Sequence, residues 1–187
     1  MPSGPVRFLL LFGCVLAAAT ASGCGSASAP PSVSTVTVTA PAEVETPLYS
    51  QFESADAVGP NGEHVDATLA GARFPSSTGM WVGCEGTPAT TTYRLDRKFG
   101  QLRAVAGLQP HTPDQLSVSV TLTGDGAVLK EFTLTKRDTV TLDVPLDAMQ
   151  TLVVSAIVRQ GTCGASDTPY GALGDAVLTE DSGQQRS

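Results

Sequence analysis

The stretch Leu116-Ser117-Val118-Ser119-Val120-Thr121-Leu122-Thr123, followed by Gly124-Asp125-Gly126, decides the reading of this chain. Apolar side chains alternate with hydroxylated ones. Successive side chains of a strand point to opposite faces, so one face here suits a core and the other suits water. The glycines tolerate positive φ and turn the chain back tightly, which makes residues 127–135 the return strand, with Phe132 and Leu134 in one register.

Outward from this hairpin the period-two pattern recurs. Val140, Leu142, Val144 and Leu146 form an inward row, and residues 152–159 are apolar enough to lie at the centre of a sheet. Residues 64–74, 79–84, 90–95 and 101–108 read as earlier strands, and residues 175–179 as the last. No stretch of helical length repeats apolar residues at i, i+3, i+4 and i+7, although residues 146–150 suit a single turn. About eight or nine short strands with turn signals between them predict an all-β domain, a two-sheet antiparallel β-sandwich of the jelly-roll type, over residues 48–180. That length is roughly one domain and buries about two-thirds of its unfolded surface.

At the N-terminus a single basic residue, Arg7, precedes residues 8–21, an apolar run without charge. Its length of about 14 residues falls short of the roughly 20 that span a bilayer, so it reads as a signal segment. Ala21-Ser22-Gly23-Cys24 resembles the bacterial lipobox, with Ala21 where Leu is usual. The resemblance implies a lipoprotein signal peptide over residues 1–23 and lipidation of Cys24, the first residue of the mature chain. Cys14 is a rival, but a cut before it leaves an apolar segment of only about six residues. The other alternative is an ordinary secretory cut without lipid. Two or three acyl chains, palmitate among them, bury roughly 0.8 kcal/mol per methylene and hold a protein stably on the extracytoplasmic face of a cell membrane.

Residues 24–47 consist mostly of Ser, Ala, Pro, Thr and Val and bury too little apolar surface to offset chain entropy, so they read as a flexible linker. Residues 33–39 alternate like a strand, and pairing with a sheet edge is the alternative there. Residues 181–187 form a polar tail. The formal charge is −7, and removal of residues 1–23 takes one cation, Arg7, bringing it to about −8. With no basic patch to displace counterions, nucleic acid is excluded as a partner. Eight Arg against three Lys, with abundant Ala, Gly, Pro and Val, match a GC-rich genome such as an actinobacterium's.

The Asp-Gly hairpin of residues 118–128, the run from Thr139 into residues 152–158, and the ending Gly174-Asp175-Ala176-Val177-Leu178 together resemble the NPCBM module, over about residues 49–179. That family consists of carbohydrate-binding modules found beside some glycoside hydrolase domains, with a galactose-binding-like jelly roll. The family ending often reads Trp-Ala-Asp-Ala-Arg-Leu. Here Leu173 replaces the Trp and Val177 the Arg, while Asp175, Ala176 and Leu178 match. The resemblance implies a non-catalytic module and leaves Asp175 either structural or facing a ligand.

Cys84 and Cys163 remain in the domain, both beside glycines at strand ends, and outside the cytoplasm they are expected to pair as a disulfide. A thiol nucleophile would need a positioned base, and neither His64 nor His111 is near a cysteine in sequence. The bridge would tie the loop after Trp81 to the loop before Tyr170. Sugar rings stack on exposed aromatic faces, so Trp81, the sole tryptophan, and Tyr170 are candidate ligand-binding residues beside Asp175. Asp56, Asn61 and Glu63, around residues 57–62, offer oxygens of the kind that Ca²⁺ takes, without EF-hand spacing; a structural calcium there is the one cofactor considered. His64 with Asp66, or His111 with Asp114, could be drawn as acid–base pairs, but no nucleophile elbow, HExxH or phosphate loop accompanies them, so the chain reads as no enzyme.

Two functions stay open. One is a lipid-anchored module for a glycan or other envelope polymer; the other is a protein-interaction or structural accessory lipoprotein of the cell envelope, since a fold does not fix function. The anchor itself is testable. Cys24→Ala is expected to leave an uncleaved precursor or to release the domain from the membrane fraction, and normal processing with unchanged retention would refute lipidation.

Overall fold

The computed structural model describes residues 44–56 and 61–180. The expected signal peptide, Cys24, most of the linker and the tail of residues 181–187 lie outside the described residues. Among the described residues eleven strands follow in chain order: β1 (Glu45–Pro47), then a 3₁₀ turn (Leu48–Gln51), β2 (Phe52–Ala55), β3 (His64–Leu69), β4 (Ala72–Met80), β5 (Ala89–Arg94), β6 (Phe99–Leu108), β7 (Ser117–Gly124), β8 (Ala127–Leu134), β9 (Thr139–Pro145), β10 (Thr151–Gln160) and β11 (Gly171–Glu180).

They form two antiparallel sheets, one ordered β3-β4-β11-β6-β9 with β1 also on β11, the other β2-β5-β10-β7-β8. The expected sandwich is present, and the apolar run of residues 152–159 is the middle strand of its sheet. Val118, Val120 and Leu122 of β7 are wholly buried, beside Leu152, Val154 and Ala156 of β10. The facing sheet supplies Leu102, Ala104, Ala106, Leu142, Val144 and Leu178 to the same core. Alternation in the sequence thus becomes one shared apolar layer between two sheets.

Residues 64–74 differ from expectation, because they are not one strand. Ala70 and Gly71, at φ 45° and 86°, turn the chain between β3 and β4, as Asp125 and Gly126, at 45° and 86°, turn it between β7 and β8. Both pairs have positive φ at the two central positions of a hairpin turn. The β3–β4 hairpin buries Ala67 and Leu69 with Ala172, flanked by Val65 and Phe74, in a cluster separate from the main core. Glycine permits the approach: a Cβ on Gly174 would lie 2.6 Å from Phe74, and one on Gly107 3.1 Å from Leu69.

Three further boundaries move. Residues 79–84 do not continue as a strand, because β4 ends at Met80 and only Gly83 bridges the other sheet, opposite Ile157. Residues 45–47, expected in the linker, pair with β11, where Glu45 also meets Arg103 in an ion pair; the following turn is anchored by fully buried Leu48. The last strand begins at Gly171 and contains a bulge: from Gly174 to Val177 it takes three steps while β6 takes two, from Val105 to Arg103. The extra residue lets Leu173, Ala176 and Leu178 all join the core.

At the far end from the longer loops, Asp125 accepts hydrogen bonds from the backbone of Gln150 (3.0 Å) and Thr151 (2.9 Å). These bonds hold its carboxyl below the ordinary aspartate value of 3.8. The folded chain therefore binds this proton less tightly than the unfolded chain, so the stabilisation is present above about pH 4 and lost as pH falls through the lowered value. Asp125→Asn should make thermal stability less dependent on pH below about 4, and an acid profile identical to the parent's would contradict this role.

Candidate functional site

Strand ends set the geography. Gly171 pairs with Met80 and Leu108, Gly107 with Thr139, and Gln160 with Ser117, so loops 81–88, 109–116, 135–138 and 161–170 emerge at one end of the sandwich. Cys84 and Cys163 are joined by the expected disulfide, with Cα atoms 6.0 Å apart, tying the first of these loops to the last. Gly83 reinforces the tie: its N–H donates to Ala156 O at 2.9 Å and its carbonyl accepts from Val158 N at 2.9 Å. A Cβ at Gly83 would lie 1.8 Å from Thr87 O, so the loop closes tightly on this residue.

Tyr170 corrects one expectation. It is only 3% exposed and cannot present a face to a sugar. Its hydroxyl donates to Gly164 O (2.6 Å) and accepts from Gly164 N (3.0 Å), and its carbonyl accepts from Gln109 N (2.7 Å) and the buried Thr112 hydroxyl (3.0 Å). The ring therefore pins loop 161–170 from beneath. Aromatic rings with a polar tip favour such half-core positions, and sequence alone does not say which way the tip faces.

Trp81 lies just past β4, half-buried, on the wall of an open cleft of about 700 Å³ that also includes Asp56, Gly83, Cys84, Glu85 and Thr87. Its backbone N–H donates to Asn61 Oδ1 at 3.0 Å. Its indole Nε1 is buried and has no hydrogen-bond partner among the described residues. A buried donor left unpaired costs stability unless a ligand or water completes it.

Two of the three calcium candidates, Asp56 and Asn61, use side-chain oxygens within the fold. Asn61, 2% exposed, spends its oxygen on Trp81 N and donates through Nδ2 to Thr90 O at 3.3 Å. Asp56 accepts from Thr90 N at 2.5 Å and from the Thr90 hydroxyl. Glu63 is exposed, and its backbone oxygen accepts from Gly79 N at 2.8 Å. These contacts stitch the start of β5 and the end of β4 together; residues 57–60 lie outside the described residues. Among the described residues no group of three or more His, Cys, Asp or Glu side chains is placed to hold a metal ion.

The acid–base pairs are not assembled. His64 Nε2 lies 3.0 Å from Pro75 O, and Asp66 pairs with Arg73 at 2.9 Å. His111 meets Thr168 at 3.2 Å, while Asp114 pairs with Lys136 at 2.7 Å, whose ammonium holds the carboxyl below its ordinary value. Asp175 stands apart from Trp81, on the bulge of β11, at φ 44°, lining a second cleft on the outer face of the six-stranded sheet. Trp81, Tyr170 and Asp175 therefore do not form one site. The sequence lacked any signal for Gly83 and singled out Asn61 only as an ion ligand; the contacts both make in the fold are long-range.

No family model matches the sequence, and no curated protein does. Solved structures do resemble it. CBM51-2 in complex with GlcNAc, with INT domains, from Clostridium perfringens ZmpB, gives a TM-score of 0.54 at 14% identity, covering 73% of this chain and 32% of that one. CBM51 from Clostridium perfringens GH95 in complex with methyl-galactose gives 0.50 at 18% identity, covering 73% of this chain and 100% of that one. The chain thus spans 32% of the length of the ZmpB structure that it matches. At such identities the likeness establishes the β-sandwich fold.

The disulfide closes 79 residues of sequence separation. In the chain-entropy model a loop of that size contributes about 4 kcal/mol. Replacing both cysteines with Ser should lower the unfolding free energy by about 2–4 kcal/mol in denaturant titration, and an unchanged midpoint would show that the bond carries no such constraint.

Proposed function

We propose that the chain is a lipid-anchored, extracytoplasmic lipoprotein whose sandwich is a non-catalytic binding module for a glycan or another envelope polymer. The observation that carries the proposal is the loop-end cleft: a half-exposed tryptophan on its wall and loops held by a disulfide. A sugar offers the complementary chemistry. Its C–H face is apolar, so a ring can lie against the half-exposed indole while its hydroxyls face the cleft. Exposed Glu85 and Thr87 supply further polar groups at the rim.

Rigidity matters because each loop ordered before binding need not be ordered during it. The cystine, the Gly83 bonds and the Tyr170 hydroxyl hold the loops in advance. The complexes of CBM51 modules with GlcNAc and with methyl-galactose support the glycan class. The lipid on Cys24 and the residues after it would place the cleft within a few nanometres of the membrane, among envelope polymers.

Fluorescence of the sole tryptophan gives a direct test on the processed protein in detergent micelles, titrated with methyl-galactoside, N-acetylglucosamine and cell-wall polysaccharide. A saturable spectral change is expected, and calorimetric titration of Trp81→Ala, which has no indole to report, should give an affinity about tenfold or more lower, or about 1.4 kcal/mol. No spectral change together with no retention on polysaccharide columns would overturn the glycan assignment. Recovery of one specific protein from solubilised membranes under those conditions would favour the accessory-protein alternative.

A further inference from the structure

We propose a second sugar-binding surface, for a neutral sugar residue, on the outer face of the six-stranded sheet at the bulge of β11. It rests on the reading of the domain as a glycan-binding module and adds a site that the loop end does not include. The cleft measures about 610 Å³ and is formed by side chains of β1, β4, β6, β9 and β11, elements more rigid than loops.

Its apolar lining is Phe74, Val105 and Val177 and its polar lining includes Arg103, Asp143 and Asp175, with Val177, Arg103 and Asp143 side by side across β11, β6 and β9. Phe74 is fixed in place by contact with Gly174, where no Cβ intervenes. Arg103 pairs with Glu45 through Nη2, and Asp143 accepts from Gln101 through Oδ1, while the other guanidinium nitrogens and Oδ2 have no hydrogen-bond partner among the described residues. Asp175 makes no hydrogen bond or ion pair among the described residues, yet it holds φ at 44°. A glycine would adopt that angle without strain, and strain at a bulge re-aims a side chain. Here it places an unpaired carboxylate in a cleft.

Planar polar groups interleaved with apolar side chains suit a pyranose. Adjacent hydroxyls donate to the carboxylates and accept from the guanidinium, while the C–H face lies against Phe74 and the valines. Glu45, Asp143 and Asp175 outnumber Arg103, so uronic, sulfated or phosphorylated sugars are repelled. Asp175 lies four residues along β11 from Gly171, about 13 Å at strand rise, and Gly171 pairs with Met80, the neighbour of Trp81. Two sites so close on one rigid body raise avidity for a polymer beyond either alone.

Amide chemical shifts of the processed protein in micelles read the two sites separately. The probes are glucose, glucuronate, methyl-galactoside and N-acetylglucosamine. Expected are saturable shifts at Arg103, Thr141 and Val177 with at least one neutral sugar, retained in Trp81→Ala and weakened about tenfold in Asp175→Asn and in Arg103→Gln. Asn keeps the tolerance of positive φ, so the first variant should fold as the parent does. Shifts confined to the Trp81 indole and residues 83–87 would overturn the second site and leave the loop-end site standing. Shifts confined to the sheet face would support it and overturn the loop-end site; shifts at neither would overturn both. Glucuronate binding as well as glucose would refute the neutral class.

Discussion

Burial of one apolar layer between two sheets is the interaction on which the rest depends. Val118, Val120 and Leu122 on one side, with Leu102, Leu142 and Leu178 on the other, are almost wholly removed from water. Each such side chain is worth about 1.5–3 kcal/mol of transfer, and the layer fixes register, because a slip of one residue would turn every inward side chain outward. The bulge in β11 follows from that requirement. The strand leaves β4 after Leu173 and takes β1 as partner from Val177, and one additional residue keeps its apolar side chains inward on both halves.

The same layer explains what was legible beforehand. Residues 116–128 announce themselves because alternation, β-branched residues and an Asp-Gly turn agree, and β7, β8, β9 and β10 fall within a residue or two of their expected limits. The β3–β4 turn was hidden because Ala70, not Gly, Asn or Asp, occupies a positive-φ position. β1 and β2 were hidden because they are short and mostly exposed, with no periodicity to detect. Their placement comes from partners far along the chain.

Sites divide similarly. The Cys84–Cys163 bond was readable from number and expected compartment, since two cysteines in a domain read as exported have only each other. Tyr170 was misplaced because its burial depends on Gln109, Thr112 and Gly164, none of which neighbours it in sequence. Asp56 and Asn61 stood out as candidate ion ligands by residue type, and in the fold their oxygens accept from Thr90 and Trp81. A carboxylate or amide in a loop satisfies the nearest backbone donor first, and sequence does not reveal that neighbour.

The cystine carries a consequence about timing. Such bonds persist in oxidising compartments and are rare in the cytosol. On the proposed extracytoplasmic placement, the polypeptide is made where its loop end cannot be locked and is completed only after translocation. Copies delayed on the way out would have an unclosed loop end, so on that placement the cell would make the loop end in one place and finish it in another.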